Sequence, residues 1–241
     1  AFGLDPVSIT RLQASPRVSI VSATLPRAIQ IKFNAGHKWL NTPAMRLAIS
    51  QSLNRQAIAT ALLRDPQMAA TQLFPPSMKA WHQPALPALA YQPEQARRSF
   101  AALGWKPDAD GQLVRNGEKL ALTLRTYPDR PELPLIATAL QEQLRQAGIA
   151  VQVKVGNSSE IPAGHKDGTL ELALYARNYA LVPDPLVTLL GDFTDDGADW
   201  GVMKWQNAVL SQQLAALGQG GLKPAQAAAA RLKVATILQQ E

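Results

Sequence analysis

Tyr91-Gln92-Pro93-Glu94-Gln95-Ala96, running on through Leu103-Gly104-Trp105 to Asp108-Ala109-Asp110-Gly111, decides how this chain reads. Pro93 suits the first position of a helix, where a missing N–H costs no hydrogen bond, and Glu94 puts negative charge at the helix's positive end. Ala96, Phe100 and Leu103 recur at helical spacing, and Gly104 supplies a left-handed stop. Asp108–Gly111 and Asn116-Gly117 are turn formers on either side of Leu113-Val114, and Leu120-Ala121-Leu122-Thr123-Leu124 follows. That pattern predicts a β-hairpin.

Downstream, Pro131 to Gln146 has the period of an amphipathic helix that stops at Gly148, and Ile149 to Val155 alternates as a strand. A short helical or loop segment leads to a second strand over Leu170–Tyr175. The tail predicts helices over Trp205–Leu217 and Pro224–Gln240, separated by the glycines of 218–221. Upstream, Val18-Ser19-Ile20-Val21 and Ala28-Ile29-Gln30-Ile31-Lys32-Phe33 read as strands, the second with one buried and one wetter face. Helices are predicted over Pro43–Ser52 and Gln56–Arg64, with Asn54 as N-cap of the second. Residues 65–92 carry Pro66, Pro75, Pro76, Pro84 and Pro87 without periodicity, yet hold Leu73, Phe74, Met78, Trp81, Leu86 and Leu89. Such a segment reads as an extended excursion pinned to the domain by its aromatics. Strand–helix–strand crossovers with one hairpin give an α/β class, a mixed β-sheet flanked by helices.

The 241 residues are 46% hydrophobic and 17% charged, ordinary for a chain with a real core. No apolar run approaches the roughly 20 residues that span a bilayer. The opening Ala1-Phe2-Gly3-Leu4-Asp5-Pro6 has neither a starting Met nor a basic region, and reads as cut from something longer. Cysteine is absent, which excludes disulfides and thiolate metal sites. The net charge of +6 is scattered along the chain, a solvated basic surface rather than a nucleic-acid footprint.

The capped helix ending in Leu-Gly-Trp, followed by a polar turn and hairpin, resembles the large extracytoplasmic solute-binding proteins of peptide, opine and nickel ABC importers. In that family a Tyr-Asp-Pro-Glu-x-Ala helix ends in Ala-Gly-Tyr/Trp; here Gln92 stands for the Asp and Leu103 for the Ala. Further pieces match in order. Ile31-Lys32-Phe33-Asn34 is similar to the family's strand ending in Phe-Asn, and Pro43–Arg55 to its Val-Arg-x-Ala-Ile-x-x-Ala-Ile-Asp-Arg helix pair. Gln143–Ile149 resembles its Leu-x-x-Ile-Gly-Ile/Val step, Asp167–Leu174 its Gly-x-Phe-Asp-Met-Ala strand, and Asp184-Pro185 its Asp-Pro helix start. The resemblance implies one lobe of a two-lobed periplasmic-binding-protein-like fold. Residues 1–241 would form the second lobe, with 1–28 as hinge-proximal lead-in and 224–241 as the helix leading back to an absent first lobe.

The resemblance also implies a function: capture of a small molecule or peptide by hinge closure, and delivery to the membrane subunits of an ABC importer from a periplasmic, monomeric protein. The alternative is the cytoplasmic solute-sensing domain of a DNA-binding regulator, a role this family also supplies, with no nucleic-acid contact through this segment. The family's ligand-facing element corresponds to Tyr175–Pro183. Arg177 can hold a carboxylate bidentately, Asn178 lies beside it, and Tyr175 and Tyr179 can form an apolar wall with hydroxyl handles. Asn34, His37 and Trp39, just past a strand end, form a second candidate edge. Peptide-binding members carry an Asp in this loop, whereas Ala176–Pro183 has no acid, so Asp184 is expected to cap the next helix.

No catalytic motif occurs, so no enzyme is expected. Asp195, Asp196 and Asp199 read as a solvated turn, and the glycines of 218–221 as an inter-helix break. His37, His82 and His165 are mutually remote, and the last two are expected to be exposed. That argues against a protein-built metal site and implies no cofactor, although a metal can arrive already chelated.

Overall fold

The computed structural model describes residues 4, 6–21, 25–179, 184–195 and 197–241. A four-stranded sheet has the order β1-β7-β5-β6, from β1 (Arg27–Phe33), β5 (Ala121–Thr126), β6 (Ala150–Val155) and β7 (Leu172–Asn178). β5, β6 and β7 run parallel, and β1 is antiparallel to β7. The helices are α1 (Pro6–Gln13), α2 (Pro43–Gln51), α3 (Arg55–Ile58), α4 (Pro93–Ala102), α5 (Glu132–Gln146), α6 (Glu160–Lys166), α7 (Leu186–Phe193), α8 (Ala208–Gln219) and α9 (Pro224–Gln240). The mixed α/β architecture is the one the sequence predicts.

The opening stretch folds as its caps dictate. Pro93 begins α4, and Gln92 carbonyl accepts from Ala96 N–H. At the other end, Gly104 has φ +85° while Gly104 N–H donates to Ala101 O and Trp105 N–H to Phe100 O. That pair of bonds is a Schellman cap, completed by burial of Phe100 and Trp105 in one core. α5 ends the same way: Gly148 has φ +85°, Gly148 N–H donates to Arg145 O, and Ile149 N–H to Leu144 O.

The predicted hairpin needs correction. Leu113 and Val114 do turn back at Asn116-Gly117, both at positive φ as a two-residue turn requires. Their partner, however, is β4 (Glu118–Lys119), in a small sheet of β2 (Lys106–Pro107), β3 (Leu113–Arg115) and β4. Leu120, fully buried, is the pivot after which the chain enters the main sheet as β5. The predicted strand over Val18–Val21 does not form: Val18 and Val21 are 43% and 90% exposed, and an isolated extended run has no ladder to satisfy its backbone. α1, which the sequence reading missed, lies upstream of it. The helix expected over Gln56–Arg64 is split into α3 and a wider π-helical turn, Ala59–Leu63, stopped by Arg64 at φ 57°. Asn54 does cap it, through Ala57 N–H. The helix predicted from Trp205 begins later, where Asn207 accepts from Leu210 N–H.

Two cores result. The main one packs Leu122 and Leu124 of β5 and Leu172 and Leu174 of β7 against Leu133, Ile136, Ala137 and Leu140 of α5, with α2 and α4 alongside. The second gathers Phe74, Met78 and Trp81 from the proline-rich excursion with Leu189 and Phe193 of α7, Leu210 and Leu214 of α8, and Val234 and Ile237 of α9. The excursion is thus pinned by its aromatics, as its composition predicts.

Gly148 and Gly117 both sit at positive φ, but a Cβ on Gly148 would lie 2.7 Å from Gly111 O, whereas one on Gly117 would meet nothing within 4 Å. Gly117→Ala should cost about 1–2 kcal/mol from backbone strain alone. Gly148→Ala should cost clearly more, because the cap and the β2–β3 loop must separate. Urea denaturation of the two variants reads the difference; equal losses would mean that the contact relaxes freely.

Candidate functional site

The two faces of the sheet differ in kind. Register places Ile29, Ile31 and Phe33 opposite Ala176, Leu174 and Leu172 on the apolar face. The other face pairs Ala28, Gln30 and Lys32 with Arg177, Tyr175 and Ala173. The expected wetter face is therefore polar but covered. Lys32 is 5% exposed, beneath α6, α7 and the 197–203 segment.

Asp192 of α7 is 1% exposed, and both its oxygens accept from Arg177, at 2.7 Å from Nε and 2.7 Å from Nη2. Burial pushes the Asp192 carboxyl up, against opposing pulls from Arg177 and Lys32. Burial also lowers Lys32 to about 8, against the attraction of Asp192 and Asp199. The Lys32 ammonium donates to Asp199 O at 2.9 Å and touches His165 Nδ1. Beside it runs a hydrogen-bonded chain. Tyr179 hydroxyl donates to Gln30 Oε1 at 3.5 Å, Gln30 Nε2 donates to Tyr175 hydroxyl at 2.6 Å, and that hydroxyl donates to Trp200 O at 2.6 Å. Burial pushes both tyrosine phenols up, so they remain neutral donors.

This geometry sorts the expected site residues. Arg177 and Asn178 end β7 beside Arg27 and close to the carboxyl ends of β5 and β6. Arg177 spends two of its nitrogens on Asp192 and keeps Nη1 without a partner among the described residues. Tyr175 and Tyr179, each 2% exposed, are packed rather than presented: Tyr175 against Trp200, and Tyr179 against Phe74 in the second core. Ala180–Pro183, the rest of the expected ligand loop, lies outside the described residues. Asp184 accepts from Leu186 N–H at 3.0 Å in an Asx turn just ahead of α7, but the N-cap position expected of it is taken by Pro185.

The second expected edge belongs elsewhere. β1 is antiparallel, so Asn34, His37 and Trp39 follow the end of β1 that faces Leu172, about 20 Å along the sheet from Asn178 at 3.3 Å per residue. Only an extended ligand of some seven residues or more, at about 3.3 Å per residue, would reach from them to Arg177. Asn34 is buried, donating to Leu170 O and accepting from Gly36 N–H. His37 and Trp39 stack edge-on at 5.4 Å, and Trp39 in turn meets Trp105. Burial lowers the His37 imidazole. His82 and His165, expected to be exposed, are half-buried against Phe74 O and Lys32. Among the described residues no cluster of three His, Asp or Glu is placed to hold a metal, and no helix is long and apolar enough to cross a membrane.

Asp192 and Lys32 were missed as key residues. The signal for Asp192 was available: it is a lone acid in the otherwise apolar helix Leu186-Val187-Thr188-Leu189-Leu190-Gly191-Asp192-Phe193.

Comparison with known proteins matches residues 1–200 to the family model for bacterial extracellular solute-binding proteins, family 5. The oligopeptide-binding protein AppA of Bacillus subtilis is 29% identical over 132 residues, 53% of this chain and 24% of that protein. Among solved structures, NikA from Brucella suis in complex with Fe(III)-EDTA superposes with a TM-score of 0.85 at 19% identity, covering 98% of this chain and 48% of that one. AppA from Bacillus subtilis in complex with a nonapeptide gives 0.82 at 18% identity, covering 98% of this chain and 47% of that one. At these identities the superpositions establish the fold. The chain spans about half the length of these solved relatives.

Two outcomes test the buried layer. Asp192→Ala strands the part-buried Arg177 guanidinium and should cost about 3–5 kcal/mol in urea denaturation. Lys32 holds fewer protons in the folded than in the unfolded chain, so its contribution to stability rises with pH between about 8 and 10.5. Relative to Lys32→Met, the natural chain should gain up to about 3 kcal/mol across that window. Parallel pH profiles of the two would remove the buried-lysine account.

Proposed function

The chain belongs to the bacterial extracellular solute-binding proteins, family 5, and on that premise we propose that residues 1–241 form one lobe of a two-lobed receptor serving an ABC importer. In this reading the receptor works outside the cytoplasm, closes about a hinge on a peptide or metal chelate, and performs no catalysis. Residues 1–28 lie next to the hinge and residues 224–241 lead back to the other lobe. The observation that carries the reading is coverage: nearly all of this chain corresponds to about half of each solved relative, with peptide and metal-chelate complexes among them.

Local features support it. The carboxyl ends of the parallel strands β5, β6 and β7 gather at one edge, the position at which open α/β sheets hold ligands. Val21 and Leu25, leading into β1, and Val187, opening α7, are 90%, 53% and 74% exposed, apolar surface suited to burial against another unit. At the edge itself, Asn178 and the remaining Nη1 of Arg177 are the proposed ligand contacts. Tyr175 and Tyr179 support them from beneath. Asn34, His37 and Trp39 take no part. The acid-free run Ala176–Pro183 favours a ligand that carries a carboxylate over one anchored by a free ammonium. Hinge closure follows when the ligand contacts the closed state more extensively than the open one.

The test uses the intact protein with oligopeptides and nickel–histidine complexes. One of the two classes should raise its melting temperature saturably, by the equivalent of about 2.7 kcal/mol at a hundred times Kd, and compact it in solution scattering. Stabilisation by neither class would defeat the proposal.

A further inference from the structure

At the end of the sheet opposite Arg177, a pocket of about 250 Å³ is lined by His165 and Lys166 from the end of α6 and by Asp199 and Lys204. We propose that this pocket is a binding site for a small free oxyanion of the size of phosphate, separate from the cleft that holds the solute.

The pocket is built rather than accidental. Ala35 N–H donates to Met203 O, and Asn34 bridges Met203, which ties the backbone before Lys204 to the end of β1. Lys204 itself sits at φ 54°, a left-handed conformation rare for a side chain of this kind, and its stem lies on Gly36. A Cβ on Gly36 would stand 3.0 Å from Lys204 Cγ, so the glycine is what lets the lysine lie there. Strained backbone held by surrounding contacts is characteristic of sites that use the residue it presents. Lys166 and Lys204 make no ion pair among the described residues, so both charges are available.

The wall behind the lining adds a third cation. Lys32 reaches the same place from β1, where its ammonium contacts His165 Nδ1 and Asp199 O. His165 Nδ1 stands within hydrogen-bond reach of both the Lys32 ammonium and Asp199 O, which fixes the ring at the edge of the pocket. Three lysines face one acid side chain here, Asp199. Asp192, the other acid near Lys32, is held by Arg177. The field in the pocket is therefore positive, and an anion entering it would be held by compact ammonium groups on two separate segments, α6 and the 199–204 loop.

The groups facing Lys32 are His165 from α6, Asp199 from the loop and Asp192 from α7. An oxyanion in the pocket stabilises the charged form of Lys32, which lies near half-titration at about pH 8. Binding there takes up a proton.

Titration calorimetry on the intact protein with inorganic phosphate, against chloride at equal ionic strength, tests the site. Lys166 and Lys204 are both exposed, so Lys166→Gln and Lys204→Gln leave the fold in place. We expect saturable phosphate binding, weakened about tenfold or more in each variant. In buffers of different ionisation enthalpy near pH 8, it should be accompanied by net proton uptake that Lys32→Met abolishes. A phosphate response no larger than that of chloride, full affinity in both variants, or binding without proton uptake would each overturn the proposal. Failure of the solute screen leaves this site untouched, and failure here leaves the importer reading untouched.

Discussion

A carboxylate with 1% exposure stays ionised only if it is paired, and Asp192 is paired by two nitrogens of Arg177. The outer layer of the molecule is arranged around that requirement. Arg177 has to stand on the last turn of pleat in β7, so β7 must extend past the other parallel strands to meet α7. α7 must lie across the polar face with its single acid turned inward, and Lys32 supplies a second cation nearby. Trp200 then roofs the layer over Tyr175, and the aromatic ring of Tyr127 meets it edge-on. A polar layer of this kind adds less stability than an apolar one would, but it permits few alternative packings, since its groups are joined in one connected network of hydrogen bonds.

The architecture was legible where the signals were local. Pro93, Gly104 and Gly148 announce helix ends through backbone chemistry that needs no tertiary context, and the elements stand where those residues place them. The hairpin is misread because Leu120–Leu124 follows the Asn116-Gly117 turn as one strand-like run, and nothing local marks Leu120 as the pivot between two sheets. Sheet membership is decided by partners far away: Leu124 pairs with Leu172 and Val153. Val18–Val21 failed for the converse reason, a strand-like composition with no partner to pair with.

The site was less legible. Arg177 was picked out by its residue type and position, but the group that restrains it, Asp192, lies on another element 15 residues on. Tyr175 and Tyr179 have the chemistry of a ligand wall; that they serve as core follows from Phe74 and Trp200, whose proximity no spacing rule reveals. Asn34, His37 and Trp39 were grouped with them because both runs end strands. Strand direction separates them, and direction is a property of the sheet and not of either segment.

The second core has a kinetic side. Its members come from residues 74–81 and from 179–237, so closing it joins segments about a hundred residues apart, whereas the caps of α4 and α5 close over six residues each. Loop-closure entropy grows with that separation and must be met before any burial repays it. By contact separation, the larger closure cost falls on docking the excursion with α7, α8 and α9, and the smaller on α4, α5 and the parallel strands between and beside them.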